Sequence, residues 1–210
     1  YDYDSQRTLS VPIYQSTAYS FENANQAAAR FGLAELGNIY SRLTNPTVDM
    51  LAKRLAAVEG GAFGVATASG SSALFYSLVN LAQNGDNIAY SNKIYGGSQT
   101  LLVHVLKRFG IEGRVFDIDD LSTLEKIIDD KTKAIFFESL SNPQIAIADV
   151  KTITDIAKKH KIATICDNTV ATPILYRPFD FGVDISVHSL TKYINGHGSG
   201  LGGAVIEREG

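Results

Sequence analysis

Ser189, Thr191 and Lys192 place two hydroxyls and an amine inside one short stretch, Asp184-Ile-Ser-Val-His-Ser-Leu-Thr-Lys-Tyr-Ile-Asn-Gly-His-Gly. The alternating run Val183 to Val187 predicts a strand, and the cluster follows its end, with Gly196 and Gly198 shortly after. Hydroxyls and backbone N–H groups at a strand end suit a phosphate. A lysine in a partly desolvated pocket can lose its proton and attack an aldehyde. Together these residues predict a phosphorylated aldehyde held at both ends. A bare Ser-x-Thr-Lys is more often one solvated lysine in a glycine-rich loop, so the weight lies on the longer pattern.

Other residues could complete such a site. Asp167, in Asp167-Asn168-Thr169, follows the predicted strand Ile162 to Cys166. A carboxylate there can keep a pyridine nitrogen protonated, or simply cap a turn. Ser69-Gly70-Ser71-Ser72 opens a helix, whose first N–H groups can meet a phosphate or only a capping side chain. Tyr95-Gly96-Gly97 begins a loop after a strand, where a flat ring can stack on a heteroaromatic ring or pack as an ordinary tyrosine. Glu138 and Asn142 belong to Glu138-Ser-Leu-Ser-Asn142-Pro143, in which Asn-Pro alone signals a turn. Tyr40 and Arg42 lie further upstream, and an arginine can grip a phosphate with two parallel hydrogen bonds.

The elements that must carry these residues alternate. Strands are predicted at Phe63 to Ala68, Asn87 to Ser91, Arg114 to Asp117, Ala134 to Glu138, Ile162 to Cys166, Val183 to Val187 and Gly203 to Ile206. Helices are predicted over about 69–83, 97–108, 120–129 and 149–160. Short apolar strands separated by helices imply an open, mostly parallel α/β sheet with helices on both faces. Ligands bind such sheets at the carboxyl ends of the strands. Ser69-Gly70, Tyr95, Glu138, Asn142, Asp167 and Lys192 all follow predicted strand ends.

Residues 1–45 show little periodicity and predict an extended arm, with one helix over 23–34 that Gly37 ends. Asn45 can cap the next helix with Pro46 at its first position; Val48, Leu51, Leu55 and Val58 follow at helical spacing up to Gly60-Gly61. The expected division is an arm over 1–45 and a large domain over 46–210.

The chain has 210 residues, 45% of them hydrophobic, and a formal charge of −3. That charge gives no basic surface for nucleic acid. No apolar run is long enough to span a bilayer and no signal peptide opens the chain, so no membrane partner is expected. The single cysteine, Cys166, lies in an apolar run and predicts a buried, inert thiol in a reducing, cytoplasmic setting. His104 falls in an apolar helical stretch and predicts a packing residue; His160 ends a basic helix, His188 precedes the hydroxyl cluster, and His197 sits in the glycine loop. No spacing among them suggests a metal. The abrupt ends, Tyr1-Asp-Tyr-Asp and Glu209-Gly210, suggest a segment of a longer protein.

The fifteen-residue stretch around Lys192 resembles the pyridoxal-phosphate attachment site of the Cys/Met-metabolism, cystathionine γ-synthase-like enzymes. The resemblance implies a fold-type I, aspartate aminotransferase-like large domain. It implies that Lys192 bonds covalently to pyridoxal 5'-phosphate, with Ser189, Thr191, Gly70 and Ser71 around the phosphate; the family usually has Met where Ser71 stands. It implies that Asp167 pairs with the ring nitrogen, Thr169 joins the cofactor site, and Tyr95 lies over the ring as a candidate general acid. Glu138 and Asn142 then fall on the substrate side. Tyr40-x-Arg42-x-x-Asn-Pro implies contact with the phosphate of a neighbouring subunit, hence a homodimer at minimum and a homotetramer as a dimer of dimers.

Within the family, the insert over 27–39, Asn84-Gly-Asp-Asn and Gly196-His-Gly-Ser-Gly-Leu-Gly-Gly look like the O-acetylhomoserine sulfhydrylase branch. The activity implied is γ-replacement on O-acetylhomoserine by sulfide or a thiol, in methionine biosynthesis. Methionine γ-lyase and cystathionine γ-synthase or lyase chemistry are the alternatives on the same scaffold. The arginine expected to clamp the substrate carboxylate would lie beyond Gly210. Outside the family, a doubly wound nucleotide-binding protein is the competing class, but no glycine run here forms G-x-G-x-x-G or a P-loop. A non-catalytic relative is the third possibility.

Overall fold

The computed structural model describes residues 7–209. Tyr1-Asp-Tyr-Asp and Gly210, named above as abrupt ends, lie outside the described residues. The chain divides into two compact units, 1–54 and 55–210. The division falls inside a helix, Pro46–Glu59 (α2), rather than ahead of it at residue 45.

In the first unit, α1 spans Ala24–Phe31. Asn23 caps it by accepting the Gln26 N–H, and Gly32 closes its C-terminus, several residues before the expected stop at Gly37. The stop comes early because Leu33 already takes a positive φ of 58°, which no helix can continue through. Asn45 caps the start of α2 through Oδ1, which accepts the Thr47 and Val48 N–H groups, while its Nδ2 donates to the Tyr14 carbonyl and the Ser41 hydroxyl. The capping signal and Pro46 thus fix this helix start as expected. Tyr40 forms an isolated antiparallel bridge with Ala18, which ties two parts of the arm together.

The second unit is a seven-stranded sheet. Its strands are β1 (Phe63–Thr67), β2 (Asn87–Ser91), β3 (Glu112–Phe116), β4 (Thr132–Glu138), β5 (Ala163–Asp167), β6 (Ile185–Ser189) and β7 (Gly203–Glu207), in the order β1-β7-β6-β5-β4-β2-β3. Only β7 runs antiparallel to its neighbours, β1 and β6; the other pairs are parallel. All strands but β7 therefore end on the same edge. The connecting helices are α3 (Gly70–Leu81), α4 (Gly96–Thr100), α5 (Ser122–Ile127), α6 (Val150–His160) and α7 (Thr172–Leu175).

Strand periodicity sorts the core into two layers. Ala134 and Phe136 of β4 join Ile165, Val187, Leu74, Leu78 and Leu102 on one face. Ile135 and Phe137 join Cys166, Leu124, Val150 and Ile153 on the other. The strands are apolar nearly throughout because both faces are covered. Cys166 is fully buried, as its apolar run predicts, and burial pushes its thiol well up.

Two expectations fail here. The helix over 97–108 is α4 followed by a π-helical turn, Leu101–Val105, and a 3-10 turn, Leu106–Phe109. The widened turn rotates the side chains, so Leu102 is buried while His104 is exposed and does not pack in the core. Among the described residues, no helix is long and apolar enough to cross a membrane, and no group of three His, Cys, Asp or Glu could hold a metal.

Candidate active site

The carboxyl edge of the sheet gathers the candidate residues of the second unit. Helix α3 starts there, directly after β1. Ser69 caps it by accepting the Ser72 N–H at 3.1 Å, which leaves the N–H groups of Gly70 and Ser71 for a ligand. Gly70 packs against the end of β6: a Cβ on it would stand 2.6 Å from the Ser189 Cβ. A Cβ on Gly203, opposite Ser189 in the β6–β7 ladder, would come 2.0 Å from the Ser69 carbonyl. Side chains at Gly70 and Gly203 would push the helix N-terminus away from the Ser189 hydroxyl.

Thr191 and Lys192 lie in the loop that turns β6 back into β7. The loop is held by Leu190 N–H to the Gly202 carbonyl at 3.0 Å and Gly196 N–H to the Lys192 carbonyl at 2.8 Å. The Gly202 N–H donates to the Thr191 hydroxyl at 3.3 Å. Lys192 is exposed, not desolvated, and among the described residues its amine has no ion-pair partner.

Asp167 ends β5, directly opposite Glu138 at the end of β4. Its Oδ1 accepts the Thr169 N–H at 3.0 Å, and the Thr169 hydroxyl accepts the Ser189 N–H at 2.8 Å. The acidic turn and the hydroxyl-bearing strand end are thereby tied together. Asp167 keeps part of its surface open at the sheet edge, yet the protein around it crowds the carboxyl. Burial raises its pKa, opposed by the bonds from Thr169 and by the nearby His188.

Glu138 is buried, and both of its oxygens are used. Oε1 accepts the Tyr95 N–H at 2.6 Å and Oε2 accepts the Asn142 N–H at 2.9 Å. Burial, and then repulsion from Asp167, push its pKa up to about 7, while the two N–H groups pull it back. Glu138 is thereby a clamp between the loops that begin at Tyr95 and Asn142. Tyr95 is 51% exposed, so its ring is free to lie against a ligand, and Asn142 is also exposed.

In the first unit, the Arg42 guanidinium stands over the Tyr40 ring, 5.5 Å from its centre. Arg42 is exposed, and among the described residues it pairs with no carboxylate.

Sequence reasoning missed a buried group behind the strand ends. Glu59, the last residue of α2, and His188 have no exposed side-chain surface, and Glu59 Oε1 lies 3.1 Å from His188 Nε2. The same Oε1 accepts the Ser186 hydroxyl at 2.6 Å and the Asn168 amide at 3.2 Å. A signal was present: Ser186 and His188 are two polar residues at alternate positions of a strand, hence on one face of it.

The donor set fits pyridoxal phosphate. It combines the first N–H groups of a helix, the Ser189 hydroxyl, an amine nearby in sequence, a carboxylate at Asp167, and an exposed ring at Tyr95. A model of the Cys/Met metabolism PLP-dependent enzymes matches residues 2–209. An O-acetyl-L-homoserine sulfhydrylase from Leptospira meyeri is 43% identical over 94% of this chain and 45% of its own length. A crystal structure from Campylobacter jejuni, assigned as an O-acetylhomoserine (thiol)-lyase and carrying pyridoxyl-lysine monophosphate, is 70% identical with a TM-score of 0.98, over 100% of this chain and 52% of that one. Cystathionine γ-lyase from Lactobacillus plantarum, complexed with L-serine, is 36% identical with a TM-score of 0.90, over 99% of this chain and 52% of that one. The chain spans about half the length of the curated relatives it matches. The chain belongs to the PLP-dependent enzymes of Cys/Met metabolism.

Proposed function

We propose that the whole protein catalyses γ-replacement on O-acetylhomoserine, with sulfide or a thiol as nucleophile, to give homocysteine or its thioether in methionine biosynthesis. The observation that carries this reading is the 70% identity, across the full chain, to the Campylobacter jejuni structure assigned as an O-acetylhomoserine (thiol)-lyase. Lys192 is the covalent anchor for pyridoxal phosphate, and Gly70, Ser71, Ser189 and Thr191 hold the phosphate. The cofactor, when bound, supplies an electron sink next to the substrate Cα. Asp167 holds a proton at the ring nitrogen, which keeps that sink effective. Thr169 orients Asp167 and β6 together. The Lys192 amine, freed once substrate is bound, takes the α-proton and moves protons at Cβ. Tyr95, exposed at the sheet edge, would lie against the ring and donate a proton as acetate leaves Cγ. Glu138 fixes the Tyr95 and Asn142 loops on either side of that space.

Tyr40 and Arg42 serve a neighbouring subunit's phosphate, so the working unit is a homodimer at least, and a homotetramer as a dimer of dimers. A cytoplasmic enzyme fits the single buried thiol and the absence, among the described residues, of a membrane-crossing helix. The likeness to cystathionine γ-lyase favours elimination as the second reading.

The test is the full-length protein with O-acetylhomoserine and sulfide. Homocysteine as the main product, with little α-keto acid, supports replacement. Rapid keto acid and methanethiol from methionine, with no gain from sulfide, supports elimination.

A further inference from the structure

The buried carboxylate of Glu59 has no exposed surface, yet no part of the proposed chemistry uses it. One oxygen, Oε1, takes three partners from two strand ends. Ser186 and His188 come from β6, and Asn168 comes from the turn after β5. Two of the partners are covalently next to residues of the site: Asn168 lies between Asp167 and Thr169, and His188 precedes Ser189.

Asn168 is held on all sides. Its Nδ2 also donates to the Tyr176 carbonyl at 2.8 Å, and its Oδ1 accepts the Ser139 hydroxyl at 2.7 Å. Ser139 in turn donates its N–H to the Asp167 carbonyl. The His188 ring is fixed by Glu59 and by Ser186, 3.3 Å from Nε2. Contact with Oε1 assigns the proton to Nε2. Among the described residues, Glu59 Oε2 and His188 Nδ1 have no partner, so the group carries two buried polar atoms without a bond. Keeping them buried is costly, which argues that the pair has a task beyond filling space.

We propose that Glu59 is a positioning residue: through Asn168, Ser186 and His188 it sets the Asp167 carboxylate against the Ser189–Lys192 cluster. The charge of the pair then helps to tune how firmly Asp167 holds a proton on the cofactor ring. The proposal rests on the assignment of Asp167 to the ring nitrogen.

The experiment uses the full-length holoenzyme and follows the visible absorbance of bound pyridoxal phosphate against pH. Glu59→Gln keeps the shape and removes the charge. It should retain borohydride-trappable cofactor, move the absorbance midpoint by about one pH unit, a tenfold change in the equilibrium, and lower kcat about tenfold with little change in KM. In an Asp167→Asn background the same change should move the midpoint no further. If Glu59→Gln yields no folded protein, Ser186→Ala removes one bond to Oε1 and should move the midpoint in the same direction by a smaller amount. A lowered Tm with an unmoved midpoint would make Glu59 a packing residue only and overturn the proposal. An equal shift with and without the Asp167 carboxylate would overturn it too. The titration needs bound cofactor but no turnover, so it reads Glu59 even where the sulfide assay fails.

Discussion

Glu138→Gln should change stability by an amount that depends on pH, and should cost activity while doing so. The Glu138 carboxyl is pushed from an ordinary 4.5 up to about 7, by burial first and by the Asp167 charge second. A carboxyl raised in this way binds more protons folded than unfolded between those two values. Its contribution to stability is therefore fully present below pH 4.5 and is lost as pH rises through about 7. At about 1.4 kcal/mol for each pH unit, the loss totals about 3 kcal/mol. Glutamine has the shape of the neutral acid and does not titrate. Relative to wild type, the variant should gain about 3 kcal/mol between pH 4.5 and pH 8.

Activity should move the other way. An amide offers one acceptor where the carboxylate offers two, so either the Tyr95 or the Asn142 N–H loses its partner. A hydrogen bond to a charged group is worth roughly 1.5–3 kcal/mol, so kcat/KM should fall about tenfold or more. Urea unfolding of the cofactor-free full-length protein at several pH values measures the first effect, and kinetics on the loaded enzyme measure the second. A stability difference that stays constant from pH 4.5 to 8 would show that Glu138 titrates as an ordinary carboxylate and refute the reasoning.

Other outcomes follow from the site. Asp167→Asn should keep the fold and bound cofactor, checked by circular dichroism and absorbance, yet lose most turnover, because an amide cannot hold the ring nitrogen protonated. Arg42→Ala should weaken cofactor binding. Mixed with inactive Lys192→Ala chains under verified subunit exchange, it should regain activity through hybrid sites; no gain over the parents would count against a shared site. Gly70→Ala should lower cofactor affinity, read by equilibrium dialysis, since the added Cβ would collide with Ser189 at 2.6 Å and displace the helix N-terminus.

The sheet was legible where chemistry and periodicity agreed. Strand β2 falls on the predicted Asn87 to Ser91, and every other strand lies within a few residues of its expected place. Apolar runs bounded by turn residues admit little else. The π-helical turn at Leu101–Val105 was not legible, because its residues favour a regular helix and tertiary packing decides otherwise. Short α7, four residues with Pro173 at its start, is too brief to show helical periodicity. The site was legible as a set of strand-end residues. The clamp at Glu138 was not, because its partners are backbone amides, which leave no mark on the sequence. Glu59 sits at the end of an amphipathic helix, where a glutamate is normally solvated; only the fold reveals that Ser186, His188 and Asn168 surround it.

The most direct test of the account is where the cofactor attaches. The full-length protein, loaded with pyridoxal phosphate, is reduced with borohydride, digested and mapped by mass spectrometry. The predicted result is a single pyridoxyl-phosphate adduct on the peptide containing Lys192, absent from Lys192→Ala. An adduct on any other lysine, or none on protein that still shows the visible band, would contradict it.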